Sequence, residues 1–182
     1  ALKDKKTVLP PCREDCPAGI DVPLYIRHIQ HGDFDGALAV IRDRIPFPAV
    51  CGYACVHPCE ARCARIQFDE TVAIRMLKRA AKEKSTGPGP MPCAAAPTGK
   101  SVAIIGSGPC GLTAGYYLAL LGHAVEVFEK DKLAGGMLRS AIPEYRLPEE
   151  AIESDLRHIF GLGIRFRGGE HIRVDELVGK YD

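Results

Sequence analysis

The sequence lacks three features that mark large classes of proteins. Its 24 basic and 23 acidic residues leave a formal net charge of +1, so we predict no nucleic-acid partner. It has no apolar run of about 18 residues, so we predict no insertion into a membrane. Its first residues, ALKDKKTVLPPC, are charged and then proline-rich, unlike a secretory signal. We therefore expect a cytoplasmic protein.

No side chain stands out as a general acid or base, so we predict no catalytic residue. Cysteine, in contrast, is plentiful. Of eight cysteines, two are the isolated Cys93 and Cys110, and the other six lie in the first third of the chain: Cys12, Cys16, Cys51, Cys55, Cys59 and Cys63. In a reducing compartment such a group favours metal binding over disulfides.

Two short segments carry these six cysteines. One is CREDCP at residues 12–17, and the other is CGYACVHPCEARC at residues 51–63, with a cysteine at every fourth position. Iron–sulfur clusters take thiolates from a tight loop together with a distant residue, so the pattern favours a 4Fe-4S cluster. Zinc is an alternative, although its sites usually pair cysteines about two to four residues apart. Disulfides, buried apolar cysteines and ligation by His57 are further alternatives.

The chain divides into two units joined by a linker. Residues 1–84 carry apolar positions at spacings of three and four, as in VPLYIRHIQ, and we predict a small all-helical domain. Residues 85–99, STGPGPMPCAAAPTG, have the composition of a linker. Residues 100–182 alternate predicted strands (SVAIIG, HAVEVFE, IRFR) with predicted helices (CGLTAGYYLALLG, PEEAIESDLRHIFGLG). This alternation predicts a parallel α/β unit.

A glycine loop follows the first predicted strand. In IIGSGPCG, Gly106 permits a tight turn, Gly108 lets a pyrophosphate approach the backbone, and Gly111 lets the helix pack closely on the strand. Glu129 ends the second strand, where a carboxylate can hold ribose hydroxyls and oppose a 2′-phosphate. These residues predict a Rossmann-like dinucleotide site and leave NAD and FAD as alternatives.

Five motifs, in order, carry a resemblance to a known family. They are CREDCPAGIDVPLYI, FPAVCGYACVHPCEARC, VAIRMLKR, IIGSGPCG and GGML followed by IPEYRLP. Over nearly its whole length the chain resembles the amino-terminal part of the glutamate synthase small (β) subunit family, which includes the corresponding part of dihydropyrimidine dehydrogenase. The resemblance implies a helical 4Fe-4S domain followed by the first part of an FAD domain, with electrons passing between NAD(P)H, FAD and the cluster.

The resemblance also implies which residues bind FAD. Matching motifs place the contacts at the pyrophosphate loop, the ribose and the GGML loop: Gly106, Ser107, Gly108, Pro109, Cys110, Gly111, Glu129, Gly136, Met137 and Arg146, with Ile172 matching more loosely.

For the metal site, the resemblance implies one cluster at Cys16, Cys55 and Cys59 and another at Cys12 and Cys63. Cys51 matches a position that is not always a ligand. Relatives with two clusters carry a further cysteine pair just before Cys12, which this chain lacks, and Lys78 and Arg79 stand where a polar side chain can complete the first set. We expect one 4Fe-4S cluster from a subset of the six cysteines, with two clusters as the alternative.

These features predict an electron-transfer module of an NAD(P)H-dependent oxidoreductase, partnered by a larger redox subunit or a ferredoxin-like carrier. The alternative is a docking module in which a structural metal supports recruitment of a larger redox subunit. An NAD-dependent dehydrogenase is disfavoured because no substrate domain or catalytic His/Lys pairing follows the glycine loop. Since the family continues with the rest of the FAD domain and an NAD(P)H domain, we expect this chain to be a fragment.

Overall fold

The computed structural model describes residues 9–87 and 93–182. Its amino-terminal part consists of helices joined by short turns. Their bounds are Pro11–Glu14 (α1), Val22–Gln30 (α2), Phe34–Arg42 (α3), Pro48–Ala54 (α4), Pro58–Ala61 (α5) and Ile74–Lys84 (α6), with a 3-10 turn at Ala64–Gln67. Helices α2, α3 and α6 pack together around Tyr25, Ile41 and Ile74. The predicted all-helical domain is confirmed.

Local signals explain why α2 and α3 are separate helices. The Asp21 carboxylate accepts a hydrogen bond from the backbone N–H of Leu24 at 3.1 Å, and Asp33 accepts one from Gly36 at 2.8 Å. Both are side-chain caps of a helix amino terminus. Between the two helices Gly32 has a φ of +73°, a conformation that glycine adopts without steric cost.

The carboxyl-terminal part is a small parallel α/β unit. Its elements are β1 (Ser101–Ile105), α7 (Pro109–Leu120), β2 (Ala124–Glu129), α8 (Met137–Ser140), α9 (Glu149–Phe160) and β3 (Arg165–Gly168), followed by a 3-10 turn at Val174–Glu176. The strands pair in the order β1-β2-β3, with Ser101 opposite Ala124 and Glu126 opposite Arg165. Helices connect the strands, as parallel pairing requires. The predicted α/β fold is confirmed.

Helix α4 packs against both parts of the chain. On one side it contacts α6. On the other, Ala49 and Val50 are at most 7% exposed and share an apolar core with Tyr116 of α7 and Ile159 of α9. The cysteine-bearing helix is therefore seated directly on the α/β unit.

The predicted linker at residues 85–99 lies partly outside the described residues, which omit 88–92. Division of the chain at that linker therefore stays a prediction. In the part of the chain that the structure describes, no helix has the length and apolarity needed to cross a bilayer.

Candidate cysteine and dinucleotide sites

The six clustered cysteines repeat one local arrangement. Each of three short helices carries one cysteine and is followed by another: Cys12 and Cys16 at α1, Cys51 and Cys55 at α4, and Cys59 and Cys63 at α5. Helix α1 packs against α5, and α4 packs against α6. All eight cysteines lie within the described ranges and are free thiols, so the disulfide alternative does not match the structure.

Four of these thiols influence one another's ionisation. Burial, together with the nearby Cys16 and Cys55, raises the pKa of Cys59 to about 11 against the opposing charge of Lys78. Burial also raises the pKa of Cys51 to about 11, with Lys78 opposing and Cys55 and Cys16 adding to the effect. Because charges act on each other strongly only at short range, we treat Cys16, Cys51, Cys55 and Cys59 as one set, the four-thiol group.

Cys12 and Cys63 form a separate pair. Burial raises the pKa of Cys12, and the charge of Cys63 adds to the effect. Tyr25 lies between the two sets: burial raises the pKa of its hydroxyl, and Cys59, Cys12 and Cys16 all contribute. The Tyr25 hydroxyl donates to the carbonyl oxygen of Ile74 at 3.0 Å, which fixes the ring against α6.

Lys78 adds a positive charge to the four-thiol group. Its side chain is only 7% exposed, although lysine is rarely buried without a partner of opposite charge. A protonated lysine has three donors and no acceptor, so it does not act as a metal ligand. Its ammonium instead offsets negative charge on neighbouring thiolates, as its effect on Cys51 and Cys59 shows.

The loop after α4 directs a backbone donor at one sulfur. His57 has a φ of +45°, an unusual value for a residue with a side chain. In this conformation its backbone N–H donates to the Sγ of Cys55 at 3.3 Å. Its ring Nδ1 lies 3.0 Å from Oε2 of Glu60, whose Oε1 accepts the backbone N–H of Arg75 at 2.8 Å. His57 thus contacts the thiol group through its backbone, while its ring turns to Glu60.

The described side chains do not form a ready-made site for a single metal ion. Within residues 9–87 and 93–182, no three His, Cys, Asp or Glu side chains converge as the ligands of one metal ion do. In a 4Fe-4S cluster each thiolate binds a different iron, and an inorganic core holds the ligands apart. Thiols that resist ionisation on their own are deprotonated when they bind metal.

The glycine loop has the geometry of a phosphate site. Gly106 has a φ of +100°, and a Cβ on Gly111 would lie 2.1 Å from the carbonyl oxygen of Gly106. A Cβ on Gly108 would meet nothing within 4 Å, so this backbone faces open space at the start of α7. A pyrophosphate can therefore approach the loop at Gly108 and meet the positive end of the helix.

The GGML loop packs on the glycine loop. The backbone N–H of Gly135 donates to the carbonyl oxygen of Ser107 at 3.0 Å. Gly136 has a φ of +50°, and a Cβ there would lie 3.0 Å from the Cα of Gly108. The two glycine-rich segments thus form adjacent walls of one site.

Glu129 connects the end of β2 to the glycine loop. Its Oε2 accepts hydrogen bonds from the backbone N–H and the hydroxyl of Ser107 at 2.8 and 2.7 Å, and its Oε1 accepts the backbone N–H of Asp131 at 3.1 Å. Burial opposes ionisation, but these hydrogen bonds outweigh it, so the pKa of Glu129 lies below its usual range. The carboxylate is therefore ionised at neutral pH.

A cleft of about 410 Å³ lies where these segments meet. Its lining consists of Ile105, Gly106, Gly108, Phe128, Glu129, Lys130, Asp131, Gly136, Met137, Ser140, Glu170, His171 and Ile172. Five of the predicted contacts, and also Ile172, are in this set. Ser107 is buried behind it, Gly111 packs under the loop, and Cys110 and Arg146 are exposed outside it.

Sequence reasoning did not single out the lining residues that follow β2 and β3. Lys130 and Asp131 come directly after β2, and Glu170 and His171 come shortly after β3. Ligands of open parallel sheets bind at the carboxyl ends of the strands. That rule, applied to each predicted strand, points to these positions.

A second cavity joins the cysteines to the glycine loop. It has a volume of about 570 Å³ and is lined mainly by apolar groups. Cys51 and Cys55 lie on one side, and Pro109, Thr113 and Leu138 lie on the other. Pro109, predicted as a dinucleotide contact, faces this cavity rather than the cleft.

The fold and the two sites define a class of protein in which a cysteine-rich helical domain is joined to a dinucleotide-binding domain. A family model for dihydropyrimidine dehydrogenase domain II, 4Fe-4S cluster, matches residues 6–88, and one for an NAD(P)-binding Rossmann-like domain matches residues 104–166. The chain thus combines a region similar to this 4Fe-4S domain with a region similar to this Rossmann-like domain, in the order that the predicted family has them. This confirms the predicted family, whereas the narrower likeness to glutamate synthase stays a prediction.

Curated relatives match almost the whole chain. The NADPH-Fe(3+) oxidoreductase subunit beta of Geobacter sulfurreducens is 40% identical over 98% of this chain and 28% of its own length. The NADP(+)-dependent formate dehydrogenase subunit beta of Moorella thermoacetica is 38% identical over 100% of this chain and 29% of its own length. The NAD-dependent dihydropyrimidine dehydrogenase subunit PreT of Escherichia coli is 35% identical over 86% of this chain and 39% of its own length.

The chain therefore spans well under half the length of each of these relatives. Among solved structures, 6-hydroxypseudooxynicotine amine oxidase from Pseudomonas geniculata N1 superposes with a TM-score of 0.41 and 19% identity, over 90% of this chain and 23% of that one. A likeness of that size does not establish a shared fold.

Proposed function

We propose that this chain is the amino-terminal electron-transfer module of an NAD(P)H-dependent oxidoreductase subunit. In this proposal a 4Fe-4S cluster bound by the helical domain exchanges electrons with FAD bound at the glycine loop. The family match to a 4Fe-4S domain and a Rossmann-like domain supports the two cofactor classes. The relatives' names as subunits of NAD(P)-dependent enzymes support a larger redox subunit or a ferredoxin-like carrier as partner.

The observation that carries the proposal is the apolar cavity between the two sites. Cys51 and Cys55 share its wall with Pro109 and Thr113 of the glycine-loop helix. When bound, FAD supplies conversion between two-electron and one-electron chemistry, and an iron–sulfur cluster supplies single-electron transfer. The mainly apolar lining offers few polar groups between the two sites, and α4, which carries Cys51, packs on the α/β unit.

A dinucleotide with free adenosine ribose hydroxyls fits the first glycine loop better than NADPH for electrostatic reasons, and the choice of FAD over NAD follows from the family resemblance. Three carboxylates line the cleft, at Glu129, Asp131 and Glu170, against one lysine, Lys130. This balance opposes the 2′-phosphate of NADPH and suits free ribose hydroxyls. The NADPH and the NADP(+) named in two of the relatives would then bind in a part of the protein beyond this chain.

We assign the cluster to the four-thiol group. Cys16 and Cys55 raise the pKa of both Cys51 and Cys59, and the charge of Lys78 opposes both shifts. In this assignment Cys51 supplies the fourth thiolate. Cys12 and Cys63 would be two thiols without the two further ligands that a second cluster needs.

Serine substitutions test the assignment in anaerobically purified full-length protein. Cys51→Ser should lower the iron content and the dithionite-bleachable visible absorption, whereas Cys63→Ser should leave both near the wild-type level. The matched control is Cys110→Ser, which changes an exposed thiol outside the group. Full iron in Cys51→Ser together with loss in Cys63→Ser would contradict the ligand set. Zinc in place of iron, with no bleaching, would contradict the function and favour a docking module.

A further inference from the structure

One buried carboxylate connects the dinucleotide domain to the cysteine-bearing helix. Asp155 lies in α9 and is 0% exposed. Its Oδ1 accepts the backbone N–H of Ala49 at 3.2 Å, and its Oδ2 accepts that of Val50 at 2.9 Å. More than a hundred residues of sequence separate Asp155 from these donors, so the contact is purely tertiary.

These two donors are groups that a helix leaves unsatisfied. Helix α4 begins at Pro48, and Phe47 before it provides no side-chain cap. The first N–H groups of a helix have no partner within the helix, and burying one without a partner is costly. Asp155 supplies the missing cap from another domain by accepting both hydrogen bonds.

The same helix carries one of the four thiols and is directly followed by another. Cys51 lies one residue after Val50, and Cys55 directly follows the last residue of α4. A second cross-domain bond holds the preceding segment, because the hydroxyl of Tyr117 in α7 donates to the carbonyl oxygen of Arg44 at 3.0 Å. The chain that leads into the two cysteines is thus held to the α/β unit at two points, Arg44 and the start of α4.

We propose that Asp155 is a positioning residue for the cysteine site: its two hydrogen bonds fix α4, and hence Cys51 and Cys55, relative to the glycine loop. The inference rests on the proposed function, because it takes Cys51 and Cys55 to be ligands of the cluster. The hydrogen bonds themselves can be measured without it.

Two cationic side chains from other helices lie near the Asp155 carboxylate without a hydrogen bond to it. Arg42 of α3 and Lys82 of α6 provide positive charge near it. Arg42 is 3% exposed, and its Nε and Nη1 have no hydrogen-bond partner among the described residues. Burial nevertheless raises the pKa of Asp155 to about 7. An asparagine at this position would offer one acceptor oxygen in place of two, so one of the two backbone N–H groups would lose its partner.

The test compares Asp155→Asn with Glu150→Gln in the anaerobically purified full-length protein. Both changes neutralise a carboxylate on α9, but Glu150 is exposed to solvent. Two readouts are needed: deuterium uptake of the peptide that contains residues 48–51, and the rate at which a chelator removes iron from protein that is still folded by circular dichroism. A residue that only stabilised the fold would lower the thermal midpoint without changing iron release below it.

In Asp155→Asn we expect faster deuterium uptake at residues 48–51 and iron release at least about fivefold faster, a factor that matches the loss of one hydrogen bond. Glu150→Gln should behave as wild type. Faster uptake with wild-type iron release and an unchanged electron paramagnetic resonance spectrum would overturn the positioning role. Rapid uptake at residues 48–51 in the wild type would overturn the hydrogen bonds themselves.

If Asp155→Asn does not accumulate as folded protein, Asp155→Glu is used to test the proposal instead. It keeps the charge and displaces the carboxylate by one methylene, so the proposal predicts an altered resonance line shape, and an unchanged one overturns it. If the wild-type protein contains no iron, the proposed function is contradicted but the role of Asp155 is not. Deuterium uptake in Asp155→Asn and Glu150→Gln would still measure the two hydrogen bonds at the start of α4.

Discussion

The pKa of His158 tests our account of the polar groups at the junction of the two domains. This residue of α9 is 4% exposed, and neither ring nitrogen has a hydrogen-bond partner among the described residues. Burial, followed by the positive charges of Arg42 and Lys82, lowers its pKa to about 4. The imidazole is therefore neutral at every pH at which the protein is expected to work.

The structure sets both the sign and the size of the effect. A fall from the ordinary value of 6.5 to about 4 disfavours the protonated form by about 3 kcal/mol. Below about pH 6.5 the unfolded chain binds a proton at His158 and the folded chain does not. The contribution of neutral His158 to the free energy of unfolding is thus complete above that pH and is lost as the pH falls toward 4.

Deuterium exchange at the C2 carbon of the imidazole, followed by mass spectrometry of the His158 peptide, measures this pKa in the intact protein. We expect the exchange rate to stay constant from about pH 8 to about pH 5. Arg42→Met should move the midpoint upward, but not to the ordinary value, because burial remains. Arg44→Met, which removes an exposed guanidinium, is the matched control. A midpoint at or above about 6.5 in the wild type would refute the reasoning.

Three further substitutions have distinct expected outcomes. Gly108→Ala should lower the FAD content with little change in thermal midpoint, because the new Cβ meets no protein atom within 4 Å but enters the phosphate site. Gly111→Ala should lower both the FAD content and the thermal midpoint, because its Cβ would lie 2.1 Å from a backbone carbonyl oxygen. Equal thermal midpoints of the Gly108→Ala and Gly111→Ala variants would contradict this account of the loop. Tyr25→Phe should lower the free energy of unfolding by about 1 kcal/mol, because a buried hydrogen bond is lost. Urea unfolding measures this, with Tyr145→Phe as the control because Tyr145 is 91% exposed. Equal stability of the two variants would be inconsistent with the Tyr25 hydrogen bond.

The periodic parts of the chain were predictable from the sequence. The three strands and the helices α2, α3, α6, α7 and α9 follow apolar spacing and capping signals that act over a few residues. The role of Gly111 was also predictable, since its close approach to the strand is a property of the loop motif itself.

The junction between the domains was not predictable, because it depends on contacts between distant segments. Asp155 lies in the acidic stretch PEEAIESD, which indicates an exposed helical face, yet it is fully buried by α4. The apolar spacing of IRMLKRAAKEK likewise does not place Lys78 beside the thiols, and only the family resemblance pointed to this position. The grouping of Cys51 with Cys16, Cys55 and Cys59 depends on the packing of α4 against α6, which periodicity does not specify.

The most direct test of the account is the cofactor content of the full-length protein purified without oxygen. We predict about four iron and four sulfide atoms per chain, as one 4Fe-4S cluster requires, together with FAD and visible absorption that dithionite bleaches. Protein that contains zinc or no metal, and from which no flavin is released on denaturation, would contradict the claim that the four-thiol group and the glycine loop form one electron-transfer unit.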